Sequence, residues 1–208
     1  VFHNLILAKI NALYPAHAKQ AMHAFWGVGQ MSFVKHAVFV GDDAPNLSDY
    51  DALTEHILNR FGDKSLLISE GVCDQLDHAS PNSCFGGKLG IDATQDFCKF
   101  SPVVLSDDEL LAKFQSVAPN VKELRQFKKQ SKTPICVIKF EKDRPVKELF
   151  SKLLEFREFF KLLVVVDMQN YLENPYMLLW RVRINIDGEN FCVDATSKSE
   201  LEGYTRGW

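Results

Sequence analysis

The stretch Val34-Lys-His-Ala-Val-Phe-Val-Gly-Asp-Asp43 decides the fold, because it combines a buried strand pattern with a polar turn at its end. Leu5-Ile-Leu-Ala-Lys9 is an earlier strand pattern, and a helical pattern beginning near Pro15 separates the two. Another helical pattern starts near Ser48, and Ser65-Leu-Leu-Ile-Ser69 is a third strand pattern. Strands that alternate with helices of this length predict parallel strands joined by right-handed crossovers.

The same order of patterns returns in the second half of the chain. Ile135 to Lys139 and Lys161 to Val166 are strand patterns around a helix at Pro145 to Phe156, and a helix at Pro175 to Val182 precedes a short strand at Phe191 to Val193. Several positions repeat in order: Lys9 and Pro15 with Lys139 and Pro145; Lys35, Val38, Val40 and Tyr50 with Lys161, Val164, Val166 and Tyr176; Asp92-Ala-Thr94 with Asp194-Ala-Thr196. We predict an α/β fold, a layered sheet with flanking helices built from two related β-α-β-α-β units, either as one continuous sheet or as two packed halves.

Two regions interrupt this repeat. Residues 70–91 are predicted to be a loop inserted in the first unit (1–100), with no counterpart in the second unit (133–208). Residues 101–132 are predicted to be a solvated connector of helical and polar character, in which Ser106-Asp-Asp-Glu109 begins a helix with a capping box.

Composition excludes several classes of function. The net charge is −3 and the basic residues are scattered, which argues against nucleic-acid binding. The apolar runs are far shorter than the ~20 residues that span a bilayer, so membrane contact is expected to be peripheral at most. The chain opens inside a strand pattern without a basic leader, as a fragment would. Five cysteines without paired spacing indicate reduced thiols in a cytoplasmic protein: Cys73, Cys84, Cys98, Cys136 and Cys192.

The inserted loop carries the residues with the clearest chemical potential. It follows a strand, and open α/β sheets bind ligands beyond the carboxyl ends of their strands. Asp74, Asp77 and His78 are compatible with a metal or acid/base cluster, or with an ordered polar loop capped by its own aspartates. The segment Gly86-Gly-Lys-Leu-Gly90 could cradle a phosphate, although it lacks the spacing of a known phosphate loop.

Lys9, at the end of the first strand, is either a point charge for an anion or a solvated lysine. Five histidines are interpreted as structural or solvated: His3, His17, His23, His36 and His56.

Four motifs in order resemble the C-terminal part of UbiD-type decarboxylases, which include the 3-polyprenyl-4-hydroxybenzoate decarboxylases of quinone biosynthesis. They are Tyr14-Pro-Ala-His-Ala-Lys-Gln-Ala-Met22, Val38-Phe-Val-Gly-Asp-Asp43, Leu76-Asp-His-Ala-Ser-Pro81 and Gly86-Gly-Lys-Leu-Gly-Ile-Asp-Ala-Thr94. The resemblance covers roughly residues 1–100. Asn174-Pro-Tyr-Met-Leu-Leu-Trp-Arg181 and Asn185-Ile-Asp187 look like the longer members of the family, which are assigned to menaquinone synthesis.

The resemblance implies a carboxy-lyase of EC 4.1.1 type that uses prenylated FMN together with manganese (Mn²⁺) and potassium (K⁺). Family members join an N-terminal split-barrel domain to this α/β domain, assemble as homo-oligomers and obtain their cofactor from a flavin prenyltransferase. Their catalytic Arg-Glu-Glu set belongs to the N-terminal domain and has no match here. This chain is therefore expected to be inactive alone and to contain no catalytic residue.

The resemblance also implies two sets of site residues. Lys9 corresponds to a lysine near the cofactor phosphate and its metal ions. Gln75, Leu76, Asp77 and His78 correspond to a loop that faces the substrate, with His78 standing where relatives carry an aromatic residue. Two alternatives to the enzyme domain are a non-catalytic α/β module for ligand binding or oligomerisation, and a free-standing enzyme that binds a phosphate ligand at Gly86–Gly90.

Overall fold

The chain folds into two compact units, Val1–Lys99 and Phe100–Trp208, each with a mixed sheet and flanking helices. The α/β prediction is therefore confirmed. The computed structural model describes residues 4–77, 80, 82–175, 187–189, 192–198 and 202. Within that part of the chain, no helix is long and apolar enough to cross a membrane.

The first unit is a four-stranded sheet with one helix on each face. Its elements are β1 (Leu5–Lys9), α1 (His17–Trp26), a 3₁₀ turn (Gly29–Phe33), β2 (His36–Val40), α2 (Tyr50–Leu58), a 3₁₀ turn (Asp63–Ser65), β3 (Leu66–Val72) and β4 (Phe85–Ala93). The strand order is β1-β2-β4-β3. The pairs β1–β2 and β2–β4 are parallel, whereas β3 is antiparallel to β4.

Alternation along β2 explains why both faces of this sheet are covered. Successive strand residues point to opposite faces, so Phe39 and Val40 belong to different parts of the core. Phe39 lies with Ala18 and Met22 of α1, whereas Val40 lies with Leu53 of α2. Each helix thus buries one apolar stripe against the sheet.

The second unit contains a five-stranded sheet of the same design. Its described elements are α3 (Asp107–Val117), β5 (Val121–Phe127), β6 (Ile135–Phe140), α4 (Val146–Leu153), a 3₁₀ turn (Leu154–Phe156), β7 (Leu162–Val166), β8 (Asp187–Glu189) and β9 (Cys192–Asp194). The strand order is β5-β6-β7-β9-β8. The described part of the helix predicted at Pro175–Val182 ends at residue 175, so most of that prediction falls outside the described residues.

The internal repeat is confirmed at the level of strand register. Strands β6, β7, β9 and β8 repeat the order and directions of β1, β2, β4 and β3. The equivalent neighbouring pairs are Lys9–Val40 with Lys139–Val166, Leu7–Val38 with Val137–Val164, and Phe39–Asp92 with Val165–Asp194. The matched residues in these pairs therefore occupy the same places in two sheets.

The prediction of a loop over residues 70–91 is wrong, as is the expectation that all strands are parallel. β3 continues to Val72, β4 begins at Phe85, and the two form an antiparallel hairpin whose loop is limited to residues 73–84. This hairpin has a counterpart in the second unit, where β8 and β9 are also antiparallel.

The prediction of a solvated connector over residues 101–132 is also wrong. β5 pairs antiparallel with β6, and Leu110 and Phe114 of α3 are fully buried in the core of the second unit. The predicted capping box is present, because the Ser106 hydroxyl accepts a hydrogen bond from the Glu109 N–H and the Glu109 carboxylate accepts one from the Ser106 N–H. The N-cap of α2 is Asp49, one residue after Ser48, near which the helical pattern starts.

The segment Gly86–Gly90 is not a phosphate cradle. It lies inside β4, where its residues pair with β3. A Cβ atom on Gly90 would approach the Met22 sulfur to 2.3 Å, and one on Gly86 would approach the Ser80 hydroxyl to 2.0 Å. These glycines are needed because side chains from other segments pack directly on the strand backbone, which also removes the basis for a free-standing phosphate-binding enzyme.

Replacing Gly90 with alanine should destabilise the first unit by about 1–3 kcal/mol, because the new methyl group forces Met22 out of its buried position. Gly87→Ala is the matched control, since a Cβ there meets nothing within 4 Å. Hydrogen-exchange mass spectrometry of peptides covering β2 to β4 should show faster exchange only for Gly90→Ala. Equal exchange in the two variants would contradict this packing.

Candidate functional site

The ends of the parallel strands define two edges of the first unit. β1, β2 and β4 begin at one edge, here called the amino edge, and end at the other, the carboxyl edge. Lys9 is the last residue of β1 and lies beside Val40, the last residue of β2. Its ammonium donates a hydrogen bond to the Ala44 carbonyl at 2.7 Å, which fixes the lysine at the carboxyl edge.

Three further side chains meet near Lys9 at the carboxyl edge. The Arg60 guanidinium forms an ion pair with Asp43, and its Nη1 lies 3.1 Å from His56 Nδ1. Burial lowers the pKa of His56 from its ordinary value, and Arg60 and Lys9 lower it further against the opposing effect of Asp43. Asp43 already balances the charge of Arg60, so Lys9, whose ammonium contacts a neutral carbonyl group, is the cation of this edge best suited to an anionic ligand.

The amino edge holds a buried ion pair that the sequence did not reveal. Lys35 Nζ lies 2.9 Å from Asp77 Oδ2, and the two side chains are only 10% and 3% exposed. The Ser80 hydroxyl donates to the same carboxylate oxygen at 2.5 Å and accepts from Lys35 at 3.1 Å. The loop over residues 73–84 is therefore attached to the start of β2 through Asp77.

A second buried lysine strengthens this attachment. Lys88 of β4 donates hydrogen bonds to the carbonyl groups of Ser32, Val34 and Val72, which belong to the entry of β2 and the end of β3. Burial lowers the pKa of Lys88, while the nearby Cys73 opposes that shift. The Lys88 ammonium thus joins β4 to the entry of β2 and to the end of β3 at the amino edge.

The remaining loop residues divide into exposed and structural ones. Gln75 is exposed and Leu76 is 69% exposed. The Asp74 carboxylate accepts a hydrogen bond from the Leu76 N–H at 2.8 Å, as expected for an aspartate that caps its own loop. His78 lies outside the described residues.

Two of the three residues suggested for a metal or acid/base cluster, Asp74 and Asp77, are held in other contacts. Asp77 is engaged by Lys35, and the described residues contain no group of three or more side chains of the metal-binding types. The arrangement of Asp74 and Asp77 fits the alternative, a polar loop ordered by its own aspartates.

The loop and Lys9 lie at opposite edges of the sheet. The expectation that the loop extends from the carboxyl ends of the strands is wrong, because β3 runs antiparallel and delivers the loop to the amino edge. Lys35 immediately precedes His36, the first residue of β2, whereas Lys9 lies beside Val40, the last residue of β2. The four residue steps along β2 from His36 to Val40 span about 13 Å. A single ligand can reach both regions only if it is elongated.

Residues 1–93 match the family model described as the 3-octaprenyl-4-hydroxybenzoate carboxy-lyase C-terminal domain. This part of the chain, slightly less than half of it, is similar to UbiD C-terminal domains. The predicted resemblance is therefore confirmed, and the two edges described above lie in the part of the chain that carries it. The match ends at the last residue of β4, so it covers the whole sheet of the first unit.

Relatives of the full chain come from Helicobacter pylori. An uncharacterised protein of strain J99 is 52% identical over 218 residues and covers the entire chain. The chain spans only 35% of the length of that relative. An uncharacterised protein of Archaeoglobus fulgidus is 38% identical over 96 residues, which cover 45% of the chain and 20% of the relative.

Two solved structures show weaker similarity. The UbiD-class enzyme HmfF from Pelotomaculum thermopropionicum, in complex with FMN, is 22% identical with a TM-score of 0.40, over 51% of this chain and 24% of that one. The 3,4-dihydroxybenzoic acid decarboxylase (AroY) of Klebsiella pneumoniae is 21% identical with a TM-score of 0.37, over 50% of this chain and 24% of that one.

Replacing only one member of the Lys35–Asp77 pair should destabilise the first unit strongly, whereas replacing both should add little further loss. Lys35→Met and Asp77→Asn should each lower the free energy of unfolding by about 3–5 kcal/mol, because each leaves a buried group without its partner. The double variant should lose much less than the sum of the two. A double-mutant cycle by urea unfolding measures this coupling, and additive effects would contradict the pairing.

Proposed function

We propose that the chain is the substrate-side and oligomerisation part of a non-oxidative UbiD-class decarboxylase that acts on an aromatic quinone precursor. The observation that carries the proposal is the match of the whole first sheet to the UbiD C-terminal domain. The anion-suited carboxyl edge around Lys9 agrees with a domain that contacts a phosphate-bearing cofactor. The ubiquinone or menaquinone pathway is inferred from the motifs in the sequence.

The cofactor in this proposal is prenylated FMN. Lys9 and Arg60, both cationic and both at the carboxyl edge, fit its phosphate group. When bound, the modified flavin supplies the electron-accepting group that decarboxylation requires. The Mn²⁺ and K⁺ that accompany this cofactor are proposed, from the family resemblance alone, to lie in the remainder of the longer protein.

The loop over residues 73–84 is proposed to face the substrate. Gln75 and Leu76 are exposed and available for contact, whereas Asp77 is buried and holds the loop through Lys35. Asp77 would therefore act by positioning the loop. The separation between this loop and Lys9 agrees with an elongated cofactor whose phosphate and ring are at opposite ends.

The partners follow from the same proposal. The N-terminal split-barrel domain would supply the catalytic Arg-Glu-Glu set, so the chain would be inactive alone, and a flavin prenyltransferase would supply the cofactor. A homo-oligomer in the cytoplasm is proposed from the family resemblance. Exposed apolar side chains on one face of the β3–β4 hairpin agree with an interaction surface, namely Ile68, Val72 and Phe85.

Lys9→Ala in the full-length protein should lower flavin retention roughly 10-fold, because one charge-assisted contact to the phosphate is lost. Lys139→Ala is the matched control, since Lys139 occupies the equivalent position in the second unit. Flavin content per protein after gel filtration, measured by absorbance and mass spectrometry, gives the result. Equal retention in both variants would exclude Lys9 from the cofactor site.

Leu76→Ala should reduce kcat/KM for the aromatic acid roughly 5- to 30-fold without changing flavin content, because an apolar contact with substrate is removed. Val28→Ala, which removes an apolar group that is 63% exposed after α1, is the control. Release of carbon dioxide from a 4-hydroxybenzoate-type acid reports turnover. If Leu76→Ala had the same kcat/KM as the control, the loop would have no role at the substrate. If the unchanged full-length protein released no carbon dioxide, the result would support the non-catalytic module instead.

A further inference from the structure

Both units end their inner strand with the same hydrogen-bonded turn. In Asp92-Ala-Thr94 and in Asp194-Ala-Thr196, the threonine N–H donates to the aspartate Oδ1 at 3.0 Å and the threonine hydroxyl donates to the same oxygen at 2.6 Å. The turns therefore have the same local geometry and can be compared atom by atom.

In the second unit, a lysine ammonium completes this turn. Lys198 Nζ lies 2.9 Å from Asp194 Oδ1, 3.0 Å from the Asp194 carbonyl oxygen and 2.9 Å from the Thr196 carbonyl oxygen. The side chains of Lys198 and Asp194 are only 4% and 6% exposed. One carboxylate and two carbonyl groups thus form a buried cage of oxygen atoms around a single positive charge.

The first unit has the same turn without that ammonium. Asp96 stands two residues after Thr94, where Lys198 stands two residues after Thr196. Its Oδ1 accepts a hydrogen bond from the Cys98 N–H at 2.9 Å instead of supplying a cation to the turn. The equivalent position has therefore changed from a base to an acid.

Asp92 carries the consequence of this difference. It is 1% exposed, and its Oδ2 is buried without a hydrogen-bond partner in the part of the chain that the structure describes. Burial of a carboxylate oxygen without a partner is costly, and buried carboxylates are normally paired with a cation or a donor. Lys198 contacts Asp194 through Oδ1, whereas the unpartnered atom of Asp92 is Oδ2. The Asp92 carboxylate therefore lacks the cation that Asp194 has, and its Oδ2 atom is the one that points to a ligand.

We propose that the Asp92-Ala-Thr94 turn binds a monovalent cation of ammonium size, such as potassium or ammonium, through the Asp92 carboxylate, including Oδ2, and the two carbonyl oxygens equivalent to those that hold Lys198. Carbonyl and carboxylate oxygens are the ligands that potassium takes in proteins. One carboxylate matches one positive charge. A divalent ion would be served by several carboxylates, and no group of three or more metal-binding side chains occurs among the described residues.

The test uses the full-length protein prepared without flavin, so that its outcome is independent of the proposed decarboxylase activity. Equilibrium dialysis against rubidium, a probe for potassium, gives the number of bound ions by elemental analysis. Asp92→Asn should bind one rubidium ion fewer than the unchanged protein. Asp96→Lys should also bind one fewer, because it supplies the ammonium that the second unit contains.

Asp194→Asn is the matched control and should bind as much rubidium as the unchanged protein, since Lys198 already occupies that turn. In a thermal unfolding series, potassium should raise Tm by roughly 2–4 °C relative to choline in the unchanged protein, but not in Asp96→Lys. Ions bound elsewhere are common to all variants and cancel in the comparison.

Equal rubidium uptake by the unchanged protein, Asp92→Asn and Asp96→Lys would overturn the proposal. If uptake were equal while Asp92→Asn destabilised the protein as strongly as Asp194→Asn, a protein ammonium group would be the partner of Asp92. That result would also overturn the assignment of a free ion. The Asp92→Asn variant keeps the test decisive if Asp96→Lys fails to fold.

Discussion

The structure of each unit depends on the second strand of its antiparallel hairpin. This strand lies in the interior of the sheet, between the first strand of the hairpin and a parallel strand. In the first unit this strand is β4, which pairs in parallel with β2 on one side and antiparallel with β3 on the other. The position of β4 places Asp92 at the carboxyl edge and Lys88 at the amino edge, and it delivers the loop over residues 73–84 to the amino edge. Gly86 and Gly90 make this possible, because neighbouring side chains approach the strand more closely than a Cβ atom would allow.

Sequence patterns predicted the strands that bury continuous apolar runs, such as β2, and the helices with an apolar stripe, such as α4. The internal repeat predicted that the two units are related. The sequence patterns missed β4, because a segment with three glycines has a low strand propensity and only its neighbours explain those glycines. They also missed β5, although its buried Val121, Leu124 and Gln126 contrast with exposed Lys122 in the same strand. Polar residues on an edge strand concealed that pattern.

The candidate site was predictable only in part, because most of its residues come from separate segments that meet only in the folded chain. Lys9 ends a strand pattern that recurs at Lys139, so its position was evident from the sequence, and the family resemblance implied its role. Asp43, His56 and Arg60 come from a loop, a helix and the residues after that helix, and only folding brings them together. Lys35 and Asp77 are 42 positions apart. Their pairing depends on the antiparallel course of β3, which no local pattern indicated.

The identity of the cofactor bound to the full-length parent protein tests the central claim most directly. The parent would be co-expressed with a flavin prenyltransferase, and its bound small molecules would be identified by mass spectrometry beside those of the 208-residue chain. Prenylated FMN on the parent and none on the isolated chain is the result that we predict. Absence of any flavin from the parent would contradict the assignment to a decarboxylase and leave a duplicated α/β binding module.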